Sequence, residues 1–187
     1  MINIPSHIGI VIDNYSDEKF SNESIMSFIN YVYNICADIG VKEITFYGMD
    51  NTNVEDNYWQ NLAVIISYEL FKLGSKLLVV GNTESAKFPY ELLCFAQKRA
   101  IGHGLKVNFL VNYSIEWDLD NEISKHYQKN VYDDAVSNID LISIWGKSKK
   151  IKDFLPMQTS SSNLYFQKKL YYKFEPSQIY DAIMLSN

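Results

Sequence analysis

The residues of this chain best suited to chemistry fall in two places. Asp13 closes an apolar run, His7 to Asp13 (HIGIVID), and opens a polar stretch, 14–21, that feeds an amphipathic segment. A carboxylate at the end of a strand, beside the free N–H groups of a following helix, can hold Mg²⁺ or accept a hydrogen bond where phosphate also binds. The second place is a run of cations, Lys147, Lys149, Lys150 and Lys152, just after another apolar run, Ile139 to Ile144. Lysine grips phosphate as a point charge. A basic run without a ligand is, by contrast, an ordinary solvated loop.

Other reactive side chains are scattered. His7, His103 and His126 show neither metal-ligand spacing nor a paired nucleophile, and each reads as structural. Cys36 and Cys94 form no C-x-x-C pair and read as two small buried hydrophobes in a reducing compartment. No G-K-[ST] follows Gly81-Asn82-Thr83, and no G-x-G-x-x-G follows the first apolar run, which disfavours a Walker loop and the usual dinucleotide fold.

The elements that must position these residues alternate along the chain. Strands are expected at His7 to Asp13, Ile44 to Gly48, Lys76 to Gly81, Leu105 to Val111, Ile139 to Ile144 and, more briefly, Leu164 to Phe166. Helical spacing marks Asn22 to Asp38, Tyr58 to Leu73, Phe88 to Ile101, Ile115 to Lys129 and Glu175 to Met184. Ser21 or Asn22 caps the first of these helices and Gly40 stops it. Strand–helix repetition predicts an α/β fold: one domain, 1–187, with a central, mostly parallel sheet flanked by helices, its ligands bound at the carboxyl ends of the strands. The 187 residues suit one domain, and 47% hydrophobic residues exclude whole-chain disorder. A net charge of −5 argues against non-specific nucleic-acid binding. Met1 to Ser6 lacks the pattern of a signal peptide, and no apolar stretch approaches the ~20 residues of a membrane span, so a cytoplasmic protein is expected, with at most peripheral membrane contact.

Five collinear segments, from residue 4 to about 183, resemble the cis-prenyltransferases, the undecaprenyl diphosphate synthase family. IPSHIGIVIDN is similar to that family's opening, with Pro5, His7 and Asp13 in register; GVKEITFYGMDNTN keeps Gly40, Thr45, Tyr47 and Asn53. LLVVGNTESAKFPYELL, LKVNFLVNYSIEWDL, and IDLISIWGKSKKIKDFLPMQ with NLYF follow in the family's order. The resemblance implies binding of isopentenyl diphosphate and an allylic prenyl diphosphate. It implies catalytic roles for Asp13 and Asn53, Mg²⁺ at Asp13, and substrate contacts from Asn14, Lys147, Lys150 and Lys152. If the chain is active, short Z-prenyl diphosphates are expected, because the segment carrying Tyr58, Trp59, Ile65, Ile66, Leu70 and Phe71, which matches the tunnel-lining helix, is shorter than the family's.

The scaffold matches better than the anion-binding chemistry. Asn14-Tyr15-Ser16-Asp17 replaces the family's glycine- and arginine-bearing loop. Ile144 and Ser148 stand for an arginine and a glutamate, Lys150 for a second arginine, Lys152 for a serine, and Asn163 for a late metal-binding glutamate. Two readings follow: a divergent, shortened prenyltransferase, or a non-catalytic pseudoenzyme or partner subunit. The resemblance implies a homodimer, or a heterodimer with a cis-prenyltransferase subunit, using Trp145 to Phe166 as interface.

Overall fold

Five of the six strands are near-continuous runs of branched apolar residues, the signature of parallel strands covered on both faces. The computed structural model describes residues 3–12, 21–47, 56–97, 99–120, 136–146, 151, 154–167 and 173–185. In it β1 (His7–Ile12), β2 (Glu43–Tyr47), β3 (Lys76–Val80), β4 (Lys106–Leu110), β5 (Leu141–Trp145) and β6 (Asn163–Gln167) form one sheet in the order β3-β4-β2-β1-β5-β6. Every pairing is parallel.

Helices α1 (Asn22–Ile39) and α2 (Asp56–Lys72) pack on the face that carries Ile8, Ile10 and Ile12 of β1. The capping signals of α1 act as read: the Ser21 hydroxyl accepts the Ser24 N–H at 3.2 Å, and Gly40, at φ 89°, ends the helix in a left-handed turn that glycine adopts without strain. Residues 115–120 are helical (α3), and α4 (Ser177–Leu185) sets Ile179, Ala182 and Ile183 into the same core. The opposite face of the sheet gathers Val11, Leu110, Ile142, Ile144, Phe154 and Leu155. Phe154 explains Gly9: a Cβ there would stand 2.8 Å from the Phe154 ring, so β1 needs glycine where that ring crosses it.

One expected helix is absent. Phe88 to Ile101 forms only a single 3₁₀ turn, Tyr90–Leu92, followed by turns. Its backbone serves the edge strand instead: Val79 donates to the Phe95 carbonyl at 2.9 Å, and Leu77 and Ile101 exchange a pair of bonds at 2.8 Å. Covering the unpaired groups of an edge strand outweighs helical propensity here. The same departure corrects the reading of Cys94, which is exposed, its Sγ 3.6 Å from the Glu91 carbonyl. Cys36 is buried as expected, and burial pushes its thiol up to about 12, so it stays a protonated, inert hydrophobe. Residues 121–129 of the expected fourth helix lie outside the described residues, as does His126.

Candidate functional site

β1 is flanked by β2 on one side and β5 on the other. The chain passes from β1 to β2 in one direction across the sheet and from β5 to β6 in the other, so the order reverses at β1 and β5. Parallel α/β sheets bind ligands outside their carboxyl ends at such a point. The three connections that leave this edge from β2, β1 and β5 carry, in sequence, Asn53; Asp13 and Asn14; and Lys147, Lys150 and Lys152. All six side chains lie outside the described residues. Their strand ends, Ile12, Tyr47 and Trp145, are described and adjacent: Val11 pairs with Tyr47, and Ile12 with Trp145.

The ground beneath this edge is apolar. Trp145 is 0% exposed and meets Phe28 edge-on at 5.1 Å between ring centres and Phe174 at 5.5 Å. That corrects the expectation of Trp145 as an interface residue; the large ring fills the core beside the end of β1. Ile144, in the place of the family's arginine, points to the other face and is 1% exposed among Val11, Leu110, Phe154 and Leu155. Above that cluster, Tyr47 stacks on Phe154 at 5.5 Å and meets Tyr113 edge-on at 6.1 Å. The Tyr113 hydroxyl donates to Asp118 at 2.7 Å, and burial together with that carboxylate pushes the phenol far above its ordinary range. Sequence reasoning passed over Tyr113 and Asp118; the spacing N-Y-x-x-x-x-D at the end of a strand was the available signal.

Two further expectations meet the geometry. Asn163 pairs with Leu141 at the start of β5, four residues before Trp145, which sets it about 13 Å of strand from the edge that β1 leaves. The residue in the late glutamate's place therefore lies at the opposite end of the sheet from Ile12, the last described residue of β1. On α2, Trp59, Ile66 and Leu70 are buried while Tyr58, Ile65 and Phe71 face solvent, so the segment packs as an ordinary amphipathic helix rather than lining a cavity with all six. Among the described residues, no group of three His, Cys, Asp or Glu side chains can hold a metal ion, and no helix is long and apolar enough to cross a membrane.

A six-stranded parallel α/β sheet with its candidate groups issuing from the central carboxyl edge defines a class of ligand-binding fold. Within that class, the family model of undecaprenyl diphosphate synthase matches residues 14–185, and the chain belongs to this family. It is similar to the isoprenyl transferase of Streptococcus agalactiae serotype V, 25% identical over 97% of this chain and 89% of that protein, and to that of Streptococcus pyogenes serotype M3, 22% identical over 96% and 89%. The first alignment runs over 224 positions, whereas 97% of this chain is about 181 residues, so the chain lacks about forty residues within the matched span. The fold is that of a probable undecaprenyl diphosphate synthase from Campylobacter jejuni, with TM-score 0.79 and 16% identity over 98% of this chain and 95% of that one. A lavandulyl diphosphate synthase from Lavandula x intermedia in complex with dimethylallyl diphosphate gives TM-score 0.73 and 15% identity, with the same coverage.

Proposed function

We propose that the chain binds isopentenyl diphosphate and an allylic prenyl diphosphate at the carboxyl edge of β2, β1 and β5, and that alone it condenses them slowly or not at all. Asp13, Asn14, Asn53, Lys147, Lys150 and Lys152 are the groups that would carry binding. The family to which the chain belongs, and the departure of these residues from adjacent strand ends, support the first part.

The observation that supports the second is the burial of Ile144. Condensation needs positive donors aimed at a diphosphate whose charge grows as the allylic carbon–oxygen bond opens. A buried isoleucine offers none, and the core that surrounds it is apolar. A charge-assisted contact to phosphate contributes ~1.5–3 kcal/mol, so losing two costs a factor of roughly 10²–10⁴ in rate. Lysines return part of this as point charges, without the bidentate geometry of arginine.

Mg²⁺ is commonly held by one or two carboxylates together with substrate phosphates, and a lone Asp13 satisfies that minimum. When bound, the ion would neutralise charge on the diphosphate. The rest of the work falls to the chain: lysines to attract the polyanion, Asn14 and Asn53 to hydrogen-bond it, and Trp145 with Tyr47 to exclude water from below.

A turnover assay with isopentenyl and allylic diphosphates plus Mg²⁺, comparing wild type with Asp13→Ala, tests this reading. Turnover at least ~10²-fold below that of the Streptococcus agalactiae relative, lowered further by the substitution, is the expected result. Rates equal to the relative's overturn the claim of weak chemistry. Null rates in both proteins remove catalysis and leave binding to be judged by titration.

A second reading has its own support. β6 is an edge strand, and Leu164 and Phe166 on it are 52% and 39% exposed. An outer strand bearing exposed apolar side chains suits pairing with another chain. On this reading the chain is the non-catalytic member of a homodimer or of a heterodimer with a cis-prenyltransferase subunit. Recovery of such a subunit with the native protein, lost on Leu164→Lys, is the expected result; a clean monomer overturns it.

A further inference from the structure

The amino edge of the sheet, opposite the candidate site, holds a buried polar network. His7 is 1% exposed, and its ring sits between two elements. Nδ1 lies 3.0 Å from the Ser137 carbonyl, which can only accept, so Nδ1 carries the hydrogen. Nε2, 2.8 Å from the Thr45 hydroxyl, is then the acceptor. Thr45 in turn accepts from the Asn108 amide at 3.0 Å, and the same amide nitrogen donates to Glu43 at 2.6 Å. Glu43 also accepts the Ser137 N–H at 3.2 Å and its hydroxyl at 2.8 Å. Every donor in this chain points one way.

We propose that His7 is a proton-operated fastener for residues 136–140: uncharged, it ties that segment across the amino ends of β1 and β2, and on gaining a proton it lets the segment go. The directionality of the network carries the argument. A proton on Nε2 turns that nitrogen into a donor, so the Thr45 hydroxyl, 0% exposed, loses the acceptor of its own hydrogen in a buried place. The ring relieves this by reaching water on the side where Nδ1 meets Ser137, which is exposed together with its neighbour Asn138. Ile139 stays buried and marks where the opening stops.

The charged groups facing the ring come from three elements. Glu43 on β2 lies 3.9 Å from Nδ1 and favours the protonated ring. Lys106 on β4, 3.1 Å from Glu43, opposes it. Asp140, preceding β5, spends one carboxylate oxygen on the backbone N–H groups of Ser6 and His7 at 2.7 and 3.0 Å. Burial is the largest influence and, with Lys106, outweighs Glu43 and the Ser137 carbonyl, holding His7 below its ordinary value.

Hydrogen exchange of the full chain, corrected for intrinsic rates, reads the fastener directly. Between about pH 7.5 and about pH 5, peptides covering 136–140 are expected to lose protection by about tenfold or more, while β2 and β4 keep theirs. In His7→Gln the 136–140 peptides are expected to show no such pH dependence. An unchanged pH dependence in His7→Gln, or simultaneous loss across the sheet, overturns the proposal. Should that variant not fold, an NMR titration of wild type decides. The Ser137 and Asn138 amides are expected to move with the His7 ring at a midpoint below about 6.5, and a higher midpoint or unmoved amides overturn it.

Discussion

The two ends of one parallel sheet are built to opposite rules. At the amino edge His7, Glu43, Thr45, Asn108 and Ser137 are joined by hydrogen bonds to one another. At the carboxyl edge the described strand ends are Ile12, Tyr47 and Trp145, over aromatic and aliphatic packing, and the polar residues come afterwards in the connections. A polar cluster bonded within itself holds a fold together; an apolar floor with polar groups set beyond it is free to serve a ligand.

The largest expected effect attacks the floor. Trp145→Ala leaves a cavity against Phe28 and Phe174 and should cost ~3–5 kcal/mol, read as a fall of roughly 6–20 °C in melting temperature. A loss under about 1 kcal/mol would mean that the carboxyl edge has no solid core beneath it. Next comes the amino edge. Glu43→Gln keeps the shape but removes the charge that Lys106, Asn108 and Ser137 address, at an expected cost of about 2–3 kcal/mol in urea denaturation at unchanged m.

A smaller effect separates the edges by pH. Burial alone would raise the Glu43 carboxyl, but His7, Asn108, Ser137 and Lys106 together hold it below its ordinary value. Its stability contribution is therefore complete above about pH 4.5 and lost as pH falls through the lower folded value. His7, also held low, contributes fully above about pH 6.5 and loses that contribution as pH falls through its own folded value. Urea midpoints should thus decline in two acid steps, the upper absent in His7→Gln and the lower in Glu43→Gln. The smallest effect is on the sheet's free side: Phe166→Glu on β6 should shift stability by under about 0.5 kcal/mol while lowering the mass seen by light scattering.

Most of the scaffold was legible because its signals are local. Branched apolar runs located five strands, the short Leu164 to Phe166 stretch marked the sixth, and the spacing of Ile25, Phe28, Ile29, Val32 and Cys36 gave the buried face of α1. Phe88 to Ile101 misled because its apolar spacing has two uses: it would serve a helix, but the backbone of β3 needed Phe95 and Ile101 more. Cys94 went wrong with it. At the site, the sequence supplied candidates and the strand order β2-β1-β5 made neighbours of the strands they follow, which no local pattern encodes. The family resemblance put Trp145 in an interface; its burial within the chain depends on Phe28 and Phe174, distant in sequence. Asn163 stands where the family has a glutamate, and its place beside Leu141, at the start of β5, follows from parallel pairing that sequence spacing does not show.

The central claim is that the carboxyl edge binds a prenyl diphosphate through Asp13 and the lysines. Titration calorimetry of isopentenyl diphosphate with Mg²⁺ tests it on the full chain, beside Asp13→Ala and the combined Lys147→Ala, Lys150→Ala and Lys152→Ala variant. Saturable binding by wild type, weakened about tenfold or more in each variant, equivalent to about 1.4 kcal/mol, is the expected result. No binding by wild type, or the same affinity in all three proteins, would contradict it.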